Sequence, residues 1–162
     1  MKTLISLMVC VLVAIAVSGL GQQTKEPAHG GKEMAEAIFK NYKDLKWDKI
    51  LPDLGDKSPE ICILHIDPKT KATKLLIRTP TAIHVRKHWH SANETHTMVL
   101  GKSVFACDDK RVEQDVGSFN YLPAKMVHEA WPSKGSLTFI TVDGPWDVNW
   151  VEGAPTKADL IE

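Results

Sequence analysis

The sequence has few cysteines and no excess of either charge, and both features exclude certain classes of protein. Only 3 of its 162 residues are cysteine, too few for a small fold held together by disulfides. Lys plus Arg and Asp plus Glu both number 20, so the formal net charge is zero. Proteins that bind nucleic acid or an anionic membrane surface usually carry a basic excess. We therefore expect no nucleic acid as partner and, once the leader is removed, no membrane.

The usual local signatures of several enzyme classes are also missing. There is no Gly-x-Ser-x-Gly motif, no Walker-type loop and no dinucleotide fingerprint. Neither Cys62 nor Cys107 has a histidine or a predicted helix start beside it. These absences argue against serine, cysteine and phosphate chemistry.

The first 21 residues form a predicted signal peptide. Lys2 is followed by an uncharged, mainly apolar run over residues 4–20, with the small residues Ser18, Gly19 and Gly21 at its end. The pattern favours a removed signal over a retained membrane anchor, although the run is near the lower length limit for spanning. The mature protein is expected to be periplasmic or secreted. In such a compartment Cys62 and Cys107 could pair, or they could be two small buried side chains.

The mature chain divides into a leader with a short helix, one β-rich domain and a tail. Apolar residues three and four apart predict an α-helix over residues 32–45, within the leader segment 22–46. Residues 47–152 hold short apolar or alternating runs separated by turn residues, which predict an all-β sandwich or barrel. Residues 153–162 are assigned to a C-terminal tail. The predicted strands cover residues 60–66, 73–78, 83–90, 95–100, 103–107, 119–122, 127–131, 137–142 and 147–151.

A cluster of histidines and a carboxylate lies within this β-rich region. His88 and His90 are one strand repeat apart and therefore face the same side. Glu94 follows after a short turn, and His128 could join from another hairpin. Imidazole and carboxylate groups are typical ligands of borderline divalent metals. The pattern predicts a metal site.

The same residues carry a resemblance to the cupin superfamily. Its first motif has two histidines one residue apart, then a glutamate and a glycine, and His88, His90, Glu94 and Gly101 match it. Its second motif is matched by Gly117, Pro123 and His128. The sequence departs from the motifs at Lys125 and Ala82, where glycine is usual. Several segments look more specifically like the ChrR-like bacterial cupins.

The resemblance implies a fold, a cofactor and a ligand set. The fold would be a jelly-roll barrel of the RmlC-like type over residues 47–152. The cofactor would be one divalent metal ion, Mn, Fe, Ni or Zn, held by His88, His90, Glu94 and His128. His96 shares the strand face of Glu94 and is either a catalytic acid–base residue or a structural histidine.

The expected function follows from the ligand set and the exported context. We expect a metalloenzyme acting on a small oxygenated organic compound, as a dioxygenase, decarboxylase or isomerase. The alternative is a non-catalytic cupin that binds or senses a metal or small ligand, as anti-sigma-factor cupins do. The partner in either case is a small molecule. Trp89, expected on the outer face, is compatible with a homodimer.

Overall fold

The computed structural model describes residues 36–161, and this part of the chain is built almost entirely from β-strands. The predicted signal peptide and residues 32–35 of the predicted helix lie outside this range. The all-β prediction is confirmed. The strands are β1 (Asp48–Lys49), β2 (Glu60–Ile66), β3 (Thr73–Thr79), β4 (Val85–Trp89), β5 (Glu94–Leu100), β6 (Ser103–Cys107), β7 (Lys110–Gln114), β8 (Phe119–Leu122), β9 (His128–Pro132), β10 (Ser136–Val142) and β11 (Asn149–Trp150).

The strands form two antiparallel sheets that face each other. The first has the order β1-β2-β3-β10-β5-β8 and the second the order β11-β4-β9-β6-β7. The sheets share no strand, so the predicted barrel is not closed by backbone hydrogen bonds in the described part of the chain. The fold is a two-sheet sandwich instead. At one open side the sheets are bridged by side chains, where Asn120 Nδ2 on β8 donates to Gln114 Oε1 on β7 over 3.1 Å.

Apolar side chains from alternate strand positions fill the space between the sheets. One buried cluster contains Ile61, Leu75, Ile140 and Val142 from the central strands of the first sheet. A second contains Leu51, Leu54 and Ile83, near the start of β4. Because burial of each such side chain contributes about 1.5–3 kcal/mol, these clusters hold the strands that carry the histidines.

The predicted N-terminal helix is not confirmed. Residues 36–41 have no regular structure, and Tyr42–Asp44 form a single 3-10 turn. The apolar stripe is not buried, since Phe39 is 93% exposed and Ile38 is 58% exposed. A helix of this length gains most of its stability from packing an apolar face, and here that packing is missing.

The C-terminal residues pack onto the domain. Leu160 forms a bridge with Ile83 and contacts the second buried cluster. A 3-10 turn, Lys157–Asp159, is closed by a capping box with Thr156. Asp159 Oδ2 lies 2.8 Å from Arg86 Nη2 on β4. The tail segment is thus attached to the strand that leads to the histidine cluster.

Two further expectations concern cysteine and the membrane. Cys62 on β2 is buried, Cys107 on β6 is half-buried, and both are free thiols. None of the helices in residues 36–161 has the length and hydropathy needed to cross a bilayer.

Candidate metal centre

Three buried histidines converge between the two sheets. His88 lies on β4, His90 follows that strand, and His128 begins β9. β4 and β9 are paired so that His88 is directly opposite His128. The candidate ligand atoms of the three side chains all lie within 4.8 Å of one another, and each residue is at most 6% exposed. His88, His90 and His128 could therefore hold a metal ion.

The Nδ1 atom of each of these imidazoles is hydrogen-bonded to a backbone carbonyl, which fixes the orientation of the ring. His88 Nδ1 donates to the Arg86 carbonyl at 2.7 Å and His128 Nδ1 to the Met126 carbonyl at 3.0 Å. His90 Nδ1 donates in the same way to the carbonyl of Asp147. Because a carbonyl can only accept, each neutral ring carries its proton on Nδ1 and keeps a lone pair on Nε2. This arrangement orients metal-binding histidines in other proteins.

Glu94 places a carboxylate beside the three rings. It is the first residue of β5 and is 2% exposed. Its Oε1 atom lies 3.0 Å from Nε2 of His90 and 3.5 Å from Nε2 of His128. These approaches lack hydrogen-bond geometry, and among the residues described both carboxylate oxygens and His128 Nε2 have no hydrogen-bond partner. Buried polar atoms are normally satisfied, so this convergence of orphaned acceptors fits a cation.

The electrostatics of the cluster favour the ligand forms of its side chains. Burial, and next the neighbouring His128, lower the pKa of His88 to about 3. Burial likewise lowers the pKa of His128 to about 4. Burial alone would raise the pKa of Glu94, but the imidazoles of His96 and His90 outweigh it and hold that pKa well below its usual range. At neutral pH the centre offers two neutral imidazoles and a carboxylate, as metal binding requires.

His90 behaves differently from the other two histidines. Burial lowers its pKa, yet the adjacent Glu94 carboxylate outweighs burial and raises the pKa overall. In the absence of a cation, Glu94 thus favours a proton on this ring. A bound cation would replace that proton.

The turn between His90 and Glu94 is anchored by residues to which the sequence assigned no role. Asn93 donates from its backbone N–H to Asp143 Oδ1 at 3.0 Å and from Nδ2 to Asp143 Oδ2 at 2.5 Å. Its Oδ1 accepts from the backbone N–H of Ala124 at 2.8 Å. Ser91 donates through N–H and hydroxyl to Asp147. The sequence indicated only a turn between the predicted ligands His90 and Glu94, and not the contacts that anchor it.

The histidines open into a narrow cavity of about 100 Å³ between the sheets. The metal-centre side chains line it, together with the hydroxyl residues Thr79, Ser103 and Thr138. Among the described lining residues there is no Lys, Arg or Tyr. The remaining wall is apolar and includes Ile50, Leu51, Pro59, Ile77, Val85, Phe105, Ala130, Pro132, Ile140, Trp146, Val148 and Trp150.

The two other histidines near the predicted ligands in sequence, His96 and His84, differ in their distance from the cluster. His96 is buried in the cavity wall, with Nε2 3.1 Å from Glu94 Oε1 and its ring 5.1 Å from that of Phe105. His84 lies away from the cluster, where Nε2 contacts Glu129 at 2.8 Å and the ring stacks on Trp131. The structure therefore brings together all five predicted site residues, His88, His90, Glu94, His96 and His128.

No protein-family model matches this chain, and no curated protein matches it by sequence. Solved structures do match. An RmlC-like cupin from Shewanella frigidimarina has a TM-score of 0.56 at 14% identity, over 72% of this chain and 95% of its own. An acetylacetone dioxygenase from Acinetobacter johnsonii has a TM-score of 0.59 at 17% identity, over 80% and 87%. A DMSP lyase from Ruegeria pomeroyi has a TM-score of 0.52 at 14% identity, over 69% and 60%.

These similarities show that the chain has the RmlC-like cupin fold. At such low identity they establish the fold alone, and function has to be argued from the site.

Proposed function

We propose that this protein is a metal-dependent enzyme acting on a small oxygenated organic compound, of the dioxygenase, decarboxylase or isomerase type. The observation that carries the proposal is the cluster of orphaned metal-donor atoms in the wall of a largely apolar cavity. A structural metal site needs no cavity beside it, whereas a catalytic site needs room for a substrate. The acetylacetone dioxygenase and DMSP lyase of the same fold support an enzyme.

The metal would be held by His88, His90, His128 and Glu94. Three imidazoles and one carboxylate suit Mn, Fe, Ni or Zn and leave open coordination positions on ions that take six ligands. A bound ion would supply Lewis-acid polarisation of a substrate oxygen or, if redox-active, a site for dioxygen. The carbonyl acceptors on Nδ1 keep the three rings oriented, and the wall around the site is mainly apolar.

His96 would hold or transfer a proton. It is buried beside Glu94, and neither of its ring nitrogens has a hydrogen-bond partner among residues 36–161. An imidazole in the cavity wall with an unused nitrogen can face a bound substrate, which is the position a general acid or base needs.

The remaining parts of the proposal concern the location of the protein, its subgroup among the cupins and its oligomeric state. The protein would act in the periplasm or outside the cell, because its first 21 residues have the pattern of a signal peptide. Its motif segments resemble those of the ChrR-like cupins, and we propose that it belongs with them. Dimerisation through the outer sheet faces is compatible with its exposed apolar side chains, Phe119 and Tyr121 among them.

The test is turnover by metal-loaded protein. The mature chain is loaded separately with Mn, Fe, Ni and Zn and assayed for oxygen uptake, CO₂ release and isomerisation on a panel of small ketones, diketones and hydroxy acids. We expect turnover with at least one metal. His88→Ala should lose metal and activity together, whereas His96→Gln should keep the metal and lose activity.

Two results would count against the enzyme. Full metal occupancy without turnover of any panel member would favour a protein that binds or senses a ligand. Unchanged turnover in His96→Gln would remove the acid–base role of that residue.

A further inference from the structure

Besides the metal-centre side chains, the mostly apolar cavity wall contains hydroxyl side chains from both sheets. Ser103 on β6 is 4% exposed, and Thr138 on β10 is half-buried on the opposite sheet. Among the described residues, each hydroxyl makes one weak contact. Ser103 Oγ lies 3.4 Å from the Val104 carbonyl, and Thr138 Oγ1 lies 3.5 Å from Met98 Sδ. The Ser103 contact is long for an O–H···O bond and the thioether sulfur facing Thr138 is a weak acceptor, so both hydroxyls can bind a ligand at little cost.

The strand register gives the distance between the hydroxyls and the metal centre. Cys107 is paired with His128, and Ser103 lies four residues before it on the same strand. At about 3.3 Å per residue, the two levels are about 13 Å apart. Thr138 lies four residues before Val142, which is paired with Glu94, so its level is also about 13 Å from the metal centre. A ligand that reaches both the metal and the hydroxyls must therefore be an extended chain.

The charge of the lining restricts that ligand further. The ionisable side chains described in the cavity wall are the four histidines and Glu94, all at the metal end. An ammonium, carboxylate or phosphate at the hydroxyl end would be buried without a counter-charge. Burying such a charge is strongly unfavourable, whereas a hydroxyl or carbonyl needs only hydrogen bonds.

We propose that Ser103 and Thr138 form a specificity subsite for the far end of the substrate. The substrate is a short, extended molecule that binds the metal with one end and presents an uncharged hydroxyl or carbonyl oxygen to these two hydroxyls. Ile77, Phe105 and Ile140 contact the apolar segment between its ends. This inference rests on the proposed function, because it requires a metal with open coordination positions.

Three hydroxamates of equal length test the subsite. All bind a metal through the same head group and carry five methylene groups: heptanohydroxamate ends in methyl, 6-hydroxyhexanohydroxamate in hydroxyl and 6-aminohexanohydroxamate in ammonium. The terminal group then lies about 10 Å from the metal, one hydrogen bond short of the two hydroxyls. Affinities are measured by calorimetry on Ni²⁺-loaded protein. We expect the ammonium probe to bind at least about tenfold more weakly than the hydroxyl probe.

A paired variant, in which both hydroxyls are removed, tests their contribution to binding separately from that of the metal. Ser103→Ala combined with Thr138→Val should weaken the hydroxyl probe about tenfold and leave the affinity for heptanohydroxamate unchanged. Thr141→Val is the matched control, because Thr141 is on the same strand but bonds Thr95 at 2.6 Å and does not line the cavity. It should change neither affinity.

The outcomes distinguish the two proposals. Equal effects of the paired variant on both probes, or tight binding of the ammonium probe, would overturn the subsite while the metal centre stands. Failure of all three hydroxamates to bind protein with full metal content would overturn the open coordination on which the proposed function depends.

Discussion

At the residue scale, the centre depends on which atom of each ring carries the proton. The backbone carbonyls of Arg86, Met126 and Asp147 each accept a hydrogen bond from an Nδ1–H group, so the Nε2 lone pairs of the three neutral rings point inward. Glu94 adds the negative charge of the group, and its oxygens are buried without hydrogen-bond partners in the described part of the chain. The cluster is thus arranged for a cation rather than for its own internal hydrogen bonds.

Glu94→Gln tests the contribution of that charge. The amide has nearly the shape of the carboxylate but cannot neutralise a cation, so metal affinity should fall. Loss of an outer hydrogen-bond partner in metal sites costs roughly 10- to 100-fold, and we expect at least that loss here. Competition titration against a chelator measures it. An affinity equal to wild type would show that Glu94 is not a ligand.

At the element scale, the ligands are positioned by loops that lock together. Asn93 connects the turn between His90 and Glu94 with Asp143 in one loop and Ala124 in another. The carbonyl of Asp147, from the same region of the chain as Asp143, holds His90. A change in any of these loops should therefore alter the affinity of the site for a metal.

Asn93→Ala should lower both stability and metal affinity. The variant removes two side-chain hydrogen bonds, worth about 1–2 kcal/mol together. Asp67→Ala is the matched control, because Asp67 Oδ1 accepts from Lys69 and Thr70 N–H groups in a turn outside the site. Thermal unfolding and metal titration are measured for both. Equal metal affinity in the two variants would contradict a positioning role for Asn93.

The C-terminal segment supplies a second link between elements. Asp159 pairs with Arg86, whose carbonyl orients His88. Burial raises the pKa of Asp159, but hydrogen bonds from Arg86 and Thr156 outweigh it and lower the pKa below its ordinary value. The carboxylate therefore stabilises the fold above the unfolded pKa of about 3.9, and this contribution is lost as pH falls through the lower folded pKa.

Asp159→Asn should show this pH dependence directly. The variant should unfold at a lower temperature than wild type at pH 6, and the difference should shrink as pH falls below about 4. Melting curves across that range provide the measurement. A constant difference at all pH values would mean that the ion pair contributes nothing to stability.

At the scale of the whole molecule, the site exists only when both sheets are in place. His88 and His128 belong to the second sheet, whereas Glu94 and His96 belong to the first. An ion bound between them stabilises the native state over the unfolded chain, by about 4 kcal/mol at a free concentration 1,000 times its Kd.

Much of this architecture could be predicted from local pattern. β2, β6 and β8 have the predicted bounds, because apolar residues and turn signals mark their ends. β7 was missed, since Lys110–Gln114 is nearly all polar and forms a strand through its pairing with β6. The predicted helix was not confirmed because periodicity alone does not supply a packing surface.

The candidate site likewise contains residues that the sequence could identify and residues that it could not. His88, His90, Glu94 and His128 could be found because their spacing matches known motifs. Asn93 and Asp143, 50 residues apart in sequence, could not, because their contact depends on tertiary packing. The same holds for Ser103 and Thr138, which line one cavity from different sheets.

The most direct test of the central claim is the metal content of the mature protein, purified without chelators or an affinity tag that binds metal. Wild type and His65→Ala, a histidine on β2 outside the cluster, should each hold close to one equivalent of Mn, Fe, Ni or Zn. His128→Ala should hold almost none. Equal metal in His128→Ala and wild type, or no metal in wild type after incubation with each ion, would contradict the metal centre.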